Sequence, residues 1–128
     1  MAVMVPVSWG ELIDKITILE IKSRKLSDEA KLANVRKELA MLAAVRDREF
    51  AGHGELAALA GRLTDVNEQL WRIEDDIREC ERRRDFGGRF VELARAVYVT
   101  NDERATLKRR VNELLGSALM EEKSYAAY

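Results

Sequence analysis

The chain has 128 residues, enough for one domain with a modest core, and residues 1–128 read as that single domain. Hydrophobic residues make up 47% and charged residues 35%, with 7 glycines and one proline, which excludes disorder and collagen-like structure and suits a helix-rich domain. A net charge of −1 and a pI of about 5.9 leave no bulk electrostatic case for a nucleic-acid partner.

The start, "MAVMVPVS", is apolar, too short for a signal peptide and without a basic lead. Pro6 disfavours helix in the residue before it, so Met4–Val7 is expected to be extended. "VPVSWGEL" then opens the first helix. Ser8 with Glu11 three residues on is a capping box, and Val7 with Leu12 is a hydrophobic staple. The helix is predicted over about residues 9–26, with Leu12, Ile16, Leu19 and Leu26 as its stripe and Ile13 beside it. Ile18 and Ile21 lie on the opposite side. A helix apolar on two sides is either central or buried by a partner, and the expectation here is a homodimer.

"LSDEAK" offers Ser27 or Asp28 as the next cap, and a second helix is predicted over about 28–50. Leu32, Val35, Leu39, Leu42, Ala43 and Phe50 line one face before "AGHG" breaks it, which makes His53 a turn residue. The third segment is the most periodic. Leu56, Leu59, Leu63, Val66, Leu70, Ile73, Ile77 and Cys80 recur at alternating spacings of three and four, a heptad-like seam. At 1.5 Å per residue it predicts a rod of roughly 40 Å or more, the spine of the fold. Cys80 closes the seam, so a buried thiol is expected, which fits a reducing cytoplasm. "RRRDFGG" ends the rod. The basic run Arg82–Arg84 there complements the helix dipole.

The fourth segment starts near Gly88 with Phe90, Leu93, Ala94, Val97 and Tyr98 as its apolar face. Continued as one helix, that stripe turns polar and runs through Asn101, Arg104, Lys108 and Asn112 before Leu115. Thr100 with Glu103 is a second possible capping box, so two readings stand: one helix through residue 115, or a break near Thr100 and a fifth helix with Leu107, Val111, Leu114 and Ala118 inward. The tail after Gly116 is read as able to add a short helical turn, with Tyr125 and Tyr128 as anchors for the tail or for oligomer contacts.

In the continuous reading the buried cations need acidic partners, because an unpaired charge in a core is costly. Glu20 and Glu74 are the candidates, with Asn67 one heptad before Glu74 and Asp75, Asp76 and Arg78 nearby. The functional reading is a polar pocket at the junction of helices one, three and four. Asn67, Asn101, Arg104, Lys108 and Asn112 would bind a small anion such as a carboxylate or phosphate, with Glu20 or Glu74 as general acid/base. Two plainer readings compete: a salt-bridge layer that fixes register, and the break at Thr100 that frees Arg104 and Lys108 into water.

Other chemistry is thinner. Glu11 with Asp14, and Asp76 with Glu79, have a spacing seen in helical metal sites, but it is common on solvated helices, and no metal or cofactor is assigned. One cysteine and one histidine exclude an intrachain disulfide and a Cys/His zinc cluster, and with His53 in a turn no Cys/His or Ser/His/Asp catalytic set is read. "FGGRF" lacks the phosphate-loop pattern, and Trp9 and Trp71 read as packing residues. No run is long and apolar enough to span a bilayer, so a soluble, cytoplasmic protein without a membrane partner is expected.

"PVSWGELIDKITILEIKSRKL", "VNEQLWRIEDDIRECE", "ELARAVYVTNDERATLKRRVNELLGS" and "EEKSY" together resemble a small bacterial family of unknown function over nearly the whole chain. The resemblance implies a setting beside tetratricopeptide-repeat and glycosyltransferase modules, and so a link to surface polysaccharide. It carries no catalytic residues. The expectation from all of this is an all-α protein, an antiparallel bundle of four or five helices with a long heptad-patterned third helix. Its function is either binding of a small anionic ligand or non-catalytic adaptor work as a homo-oligomer.

Overall fold

A computed structural model describes residues 1–128 as four helices and no strand: α1 (Trp9–Lys25), α2 (Glu29–Phe50), α3 (Gly54–Arg82) and α4 (Gly88–Leu115). None of the helices is long and apolar enough to cross a membrane. Three of the four starts have a side-chain cap, and α4, whose N-cap is Gly87, has none. Ser8 Oγ accepts from Glu11 N–H, Asp28 accepts from Lys31 N–H, and His53 Nδ1 accepts from Leu56 N–H. His53 is thus the N-cap of α3 as well as the turn residue the flanking glycines indicate. The capping box at α1 is half made. Ser8 caps, but the Glu11 carboxylate reaches across to Lys108 instead of folding back.

α1 is the central element, packed against α2, α3 and α4. The shared core holds Leu12, Ile13 and Ile16 of α1, Leu56, Leu63 and Val66 of α3, and Leu107 and Val111 of α4. Leu39, Leu42, Val45 and Phe50 of α2 cover it from outside. Ile21 is fully buried inside the chain, so α1 finds partners for both apolar sides within its own bundle. The two-sided helix therefore supplies no argument for a homodimer.

α3 and α4 form the antiparallel spine. α3 has 29 residues and α1 has 17, so at 1.5 Å per residue the hairpin outruns α1 by roughly 18 Å. The heptad seam shows the consequence. Leu56, Leu63, Val66 and Cys80 are buried, while Leu70, Ile73 and Ile77 are only half-buried.

α4 runs unbroken from Gly88 to Leu115, and Thr100 is buried in its middle, so the five-helix alternative does not form. A break is unnecessary because the inward cations are paired. Gly116 ends the helix in the left-handed region at φ 62°. No helical turn follows it. The tail doubles back along α4 as a non-helical strap: Glu121 reaches Lys108, Glu122 reaches Arg109, and Lys123 and Tyr128 reach Asp102.

Candidate functional site

The polar stripe of α4 meets a second stripe on α1. Gly10, Asp14, Thr17 and Ile21 are spaced four, three and four apart, and all are buried facing the spine. Asp14 is 1% exposed. Arg104 grips it with two parallel bonds, Nε to Oδ1 at 2.9 Å and the terminal nitrogen to Oδ2 at 2.5 Å. Asn67 of α3 donates to Asp14 Oδ1 and to Thr17 Oγ1, both at 3.0 Å, and the Thr17 hydroxyl donates to the Asp14 backbone carbonyl at 2.7 Å. No fully buried side-chain polar atom lacks a partner, so this layer locks three helices together without an orphaned group. The Asp14 carboxylate, bonded at short range, holds the Arg104 guanidinium above its usual range.

One turn on, Lys108 Nζ lies 2.7 Å from Glu11 of α1 and 2.7 Å from Glu121 of the tail. Burial alone pushes this ammonium down, but the two carboxylates outweigh it and carry Lys108 above the ordinary lysine value. The same contact draws Glu121 below the usual glutamate value.

Asn112 has a different partner. Its Oδ1 accepts from Gly10 N–H at 2.6 Å, while Ser117 Oγ accepts from Trp9 N–H at 3.3 Å. With Ser8 on Glu11 N–H, the free donors at the start of α1 are occupied by the protein itself. A Cβ on Gly10 would lie 2.3 Å from the Lys108 carbonyl, so only glycine allows α1 and α4 to approach so closely here. Asn112 therefore belongs to a helix junction, its side-chain oxygen already engaged by Gly10 N–H.

Two cavities flank the layer, and Asn101 and Arg104 line both. One, of about 920 Å³, lies between α4 and the tail, with Lys108 also in its wall. The other, of about 490 Å³, lies at the junction of α1, α3 and α4 and is bounded by Ile18, Asn67, Trp71 and Glu74. Asn67 lines it but is already committed to Asp14 and Thr17.

Glu20 and Glu74 are not the acids of the layer. Glu20 is 3.9 Å from Arg46 of α2, and Glu74 pairs with Arg78 on its own helix at 3.6 Å. The acids are Asp14 and Glu11, the E-x-x-D pair of α1, of which Glu11 is also the expected second half of the capping box. Each is held by a cation, and no group of three or more metal-ligating side chains occurs. The signal that finds Asp14 is its place in the second α1 stripe between Gly10 and Ile21, where a carboxylate stands at a core position.

The model for the Family of unknown function (DUF6165) matches residues 3–128. The chain belongs to that family. The matched residues take in all four helices, the α1–α4 polar layer and the strap. No curated protein and no solved structure matches the chain.

Proposed function

We propose that this DUF6165 protein binds a small anionic ligand in the cavity between α4 and the tail, with Arg104, Lys108 and Asn101 as its polar contacts. The observation that carries the reading is the strap itself. It is pinned to α4 at Glu121–Lys123 and again at Tyr128, and it spans a cavity of about 920 Å³ whose wall holds those three side chains. That volume falls within the roughly 300–1,000 Å³ of ordinary ligand sites. Asp14 supports the site from behind by fixing the Arg104 plane. No acid/base role is kept for Glu20 or Glu74, whose carboxylates face arginines away from Lys108. The setting is the one the sequence resemblance implies, bacterial surface-polysaccharide work.

Thermal-shift titration with acetate, succinate, phosphate and sulfate tests it. A ligand that binds only the folded chain raises stability by about 2.7 kcal/mol at a hundred times its Kd. At least one anion is expected to raise the melting temperature of the unaltered chain and to lose that effect in Lys108→Gln. No anion-dependent shift at matched ionic strength would sink the reading.

The second reading is adaptor work as a homo-oligomer, favoured by the overhang of the α3–α4 hairpin. There Phe86 and Val91 are exposed and the seam is only half-covered. Light scattering at micromolar concentration decides it, since a monomeric mass defeats the oligomer.

A further inference from the structure

We propose that Glu121 is an internal ligand of the α4 site, and that a carboxylate-bearing ligand binds by taking its place on Lys108. This rests on the anion-site reading above and names both the ligand class and its regulation.

The two carboxylates on Lys108 are not equivalent. Glu11 stands in the first turn of α1, where Ser8, Asn112 and the close contact at Gly10 fix the backbone. Glu121 belongs to a segment outside any helix, joined to α4 through the left-handed Gly116 and the exposed run Ala118–Met120. Beyond Ser117 every polar contact from the tail to the rest of the fold is to α4, at Asp102, Lys108 and Arg109. Of these partners only Lys108 is buried, with 11% of its side chain exposed. Glu121 is therefore a carboxylate delivered into a cation site by a strap that can leave without unpacking the core.

The charges select the ligand. Arg104 and Lys108 face Asp14, Glu11 and Glu121, two positive groups against three negative ones. Without Glu121 the cluster balances, so the site accepts one added negative charge, as it does from Glu121 itself. A phosphate group with nearly two would put its second charge beside Glu11 and Asp14. The far anchor does not depend on this exchange. Tyr128 donates to Asp102 at 2.7 Å and its ring lies 5.2 Å from that of Tyr98. With that end held, Tyr125 and the two alanines after it still roof the cavity when Glu121 swings out.

The test uses the isotopically labelled full chain, with acetate and inorganic phosphate as probes at matched ionic strength. Lys108 side-chain signals and the Glu121 backbone amide are followed by NMR. Acetate is expected to shift Lys108 and to release the Glu121 amide with the same midpoint. It should bind Glu121→Gln about three- to tenfold more tightly, because a competitor docked most of the time lowers apparent affinity by that order. Glu122→Gln, whose partner Arg109 is exposed, should leave the acetate midpoint unchanged. Equal acetate affinity in the unaltered chain and Glu121→Gln, or a Lys108 response with Glu121 unmoved, overturns the competitor role and leaves the anion site standing. Tighter binding of phosphate than of acetate overturns the ligand class. Silence of Lys108 and Arg104 toward both anions in both chains overturns the anion site, and this inference with it.

Discussion

Asn112 caps the first turn of a helix 102 residues away: its side-chain oxygen accepts from Gly10 N–H at 2.6 Å. The bond forms where the Lys108 carbonyl leaves no space for a side chain on Gly10, so the two residues define one contact between α1 and α4. Asn112→Ala orphans a buried donor, a loss of about 1–3 kcal/mol. Gly10→Ala forces the helices apart, also at about 1–3 kcal/mol as overpacking goes. Urea unfolding measures both, and values below about 0.5 kcal/mol would mean that the junction is looser than described.

Arg104 and Asp14 make a second separable prediction. Breaking one member of a buried, hydrogen-bonded ion pair costs roughly 3–5 kcal/mol. Arg104 keeps 28% of its side chain exposed, so Arg104→Ala is expected toward the lower end of that range, and Asp14→Ala, which strands the guanidinium and Asn67, toward the upper end. The double replacement Asp14→Leu with Arg104→Met should recover much of the loss, since apolar replacement of a whole buried pair is often neutral. Additive losses would show that the two side chains do not act as a unit.

The strap gives a pH dependence of definite sign. Glu121 faces Lys108 and Arg104 from α4 and Asp14 from α1, and its docked value is drawn below the ordinary glutamate value, first by the Lys108 hydrogen bond. A lowered carboxylate value means that docking is favoured above the free value and lost as pH falls through the docked one. At the other anchor, Asp102 is likewise drawn down, by Tyr128 and then Lys123, so both ends release in the same direction. Side-chain NMR signals of Glu121 and Tyr128 should therefore move to their free-chain positions on acidification below about pH 4.5, before the helices unfold. Added salt should have the same effect on the exposed contacts. Glu121 and Tyr128 side-chain signals equally displaced from their free-chain positions at pH 3 and pH 7 would contradict this.

Cys80 is free and 8% exposed. Thiol reagents are expected to label it in the folded protein far more slowly than in the urea-unfolded chain, with kinetics that follow opening of the hairpin. Labelling at the unfolded rate would place the end of the seam in solvent.

Local chemistry was legible in the sequence. Ser8 and Asp28 as caps, the breaks at "AGHG" and "RRRDFGG", and the apolar stripes marked three helices close to their observed bounds and the start of the fourth, because caps and periodicity act within a few residues. The continuity of α4 was not legible. Thr100 with Glu103 has the form of a start signal, and whether the chain breaks there depends on whether Arg104 and Lys108 find acids on another helix. Asp14 and Glu11 supply them, from 90 and 97 residues away. Glu20 and Glu74 lie on plausible helix faces, but a face does not fix the rotation of one helix against the next. That rotation follows from ridges meeting grooves and from Gly10 admitting the α4 backbone. The strap has no sequence period at all. Its position is set by the placement of Lys108, Arg109 and Asp102 along a finished helix, so only the tertiary structure could bring Glu121 to the buried ammonium.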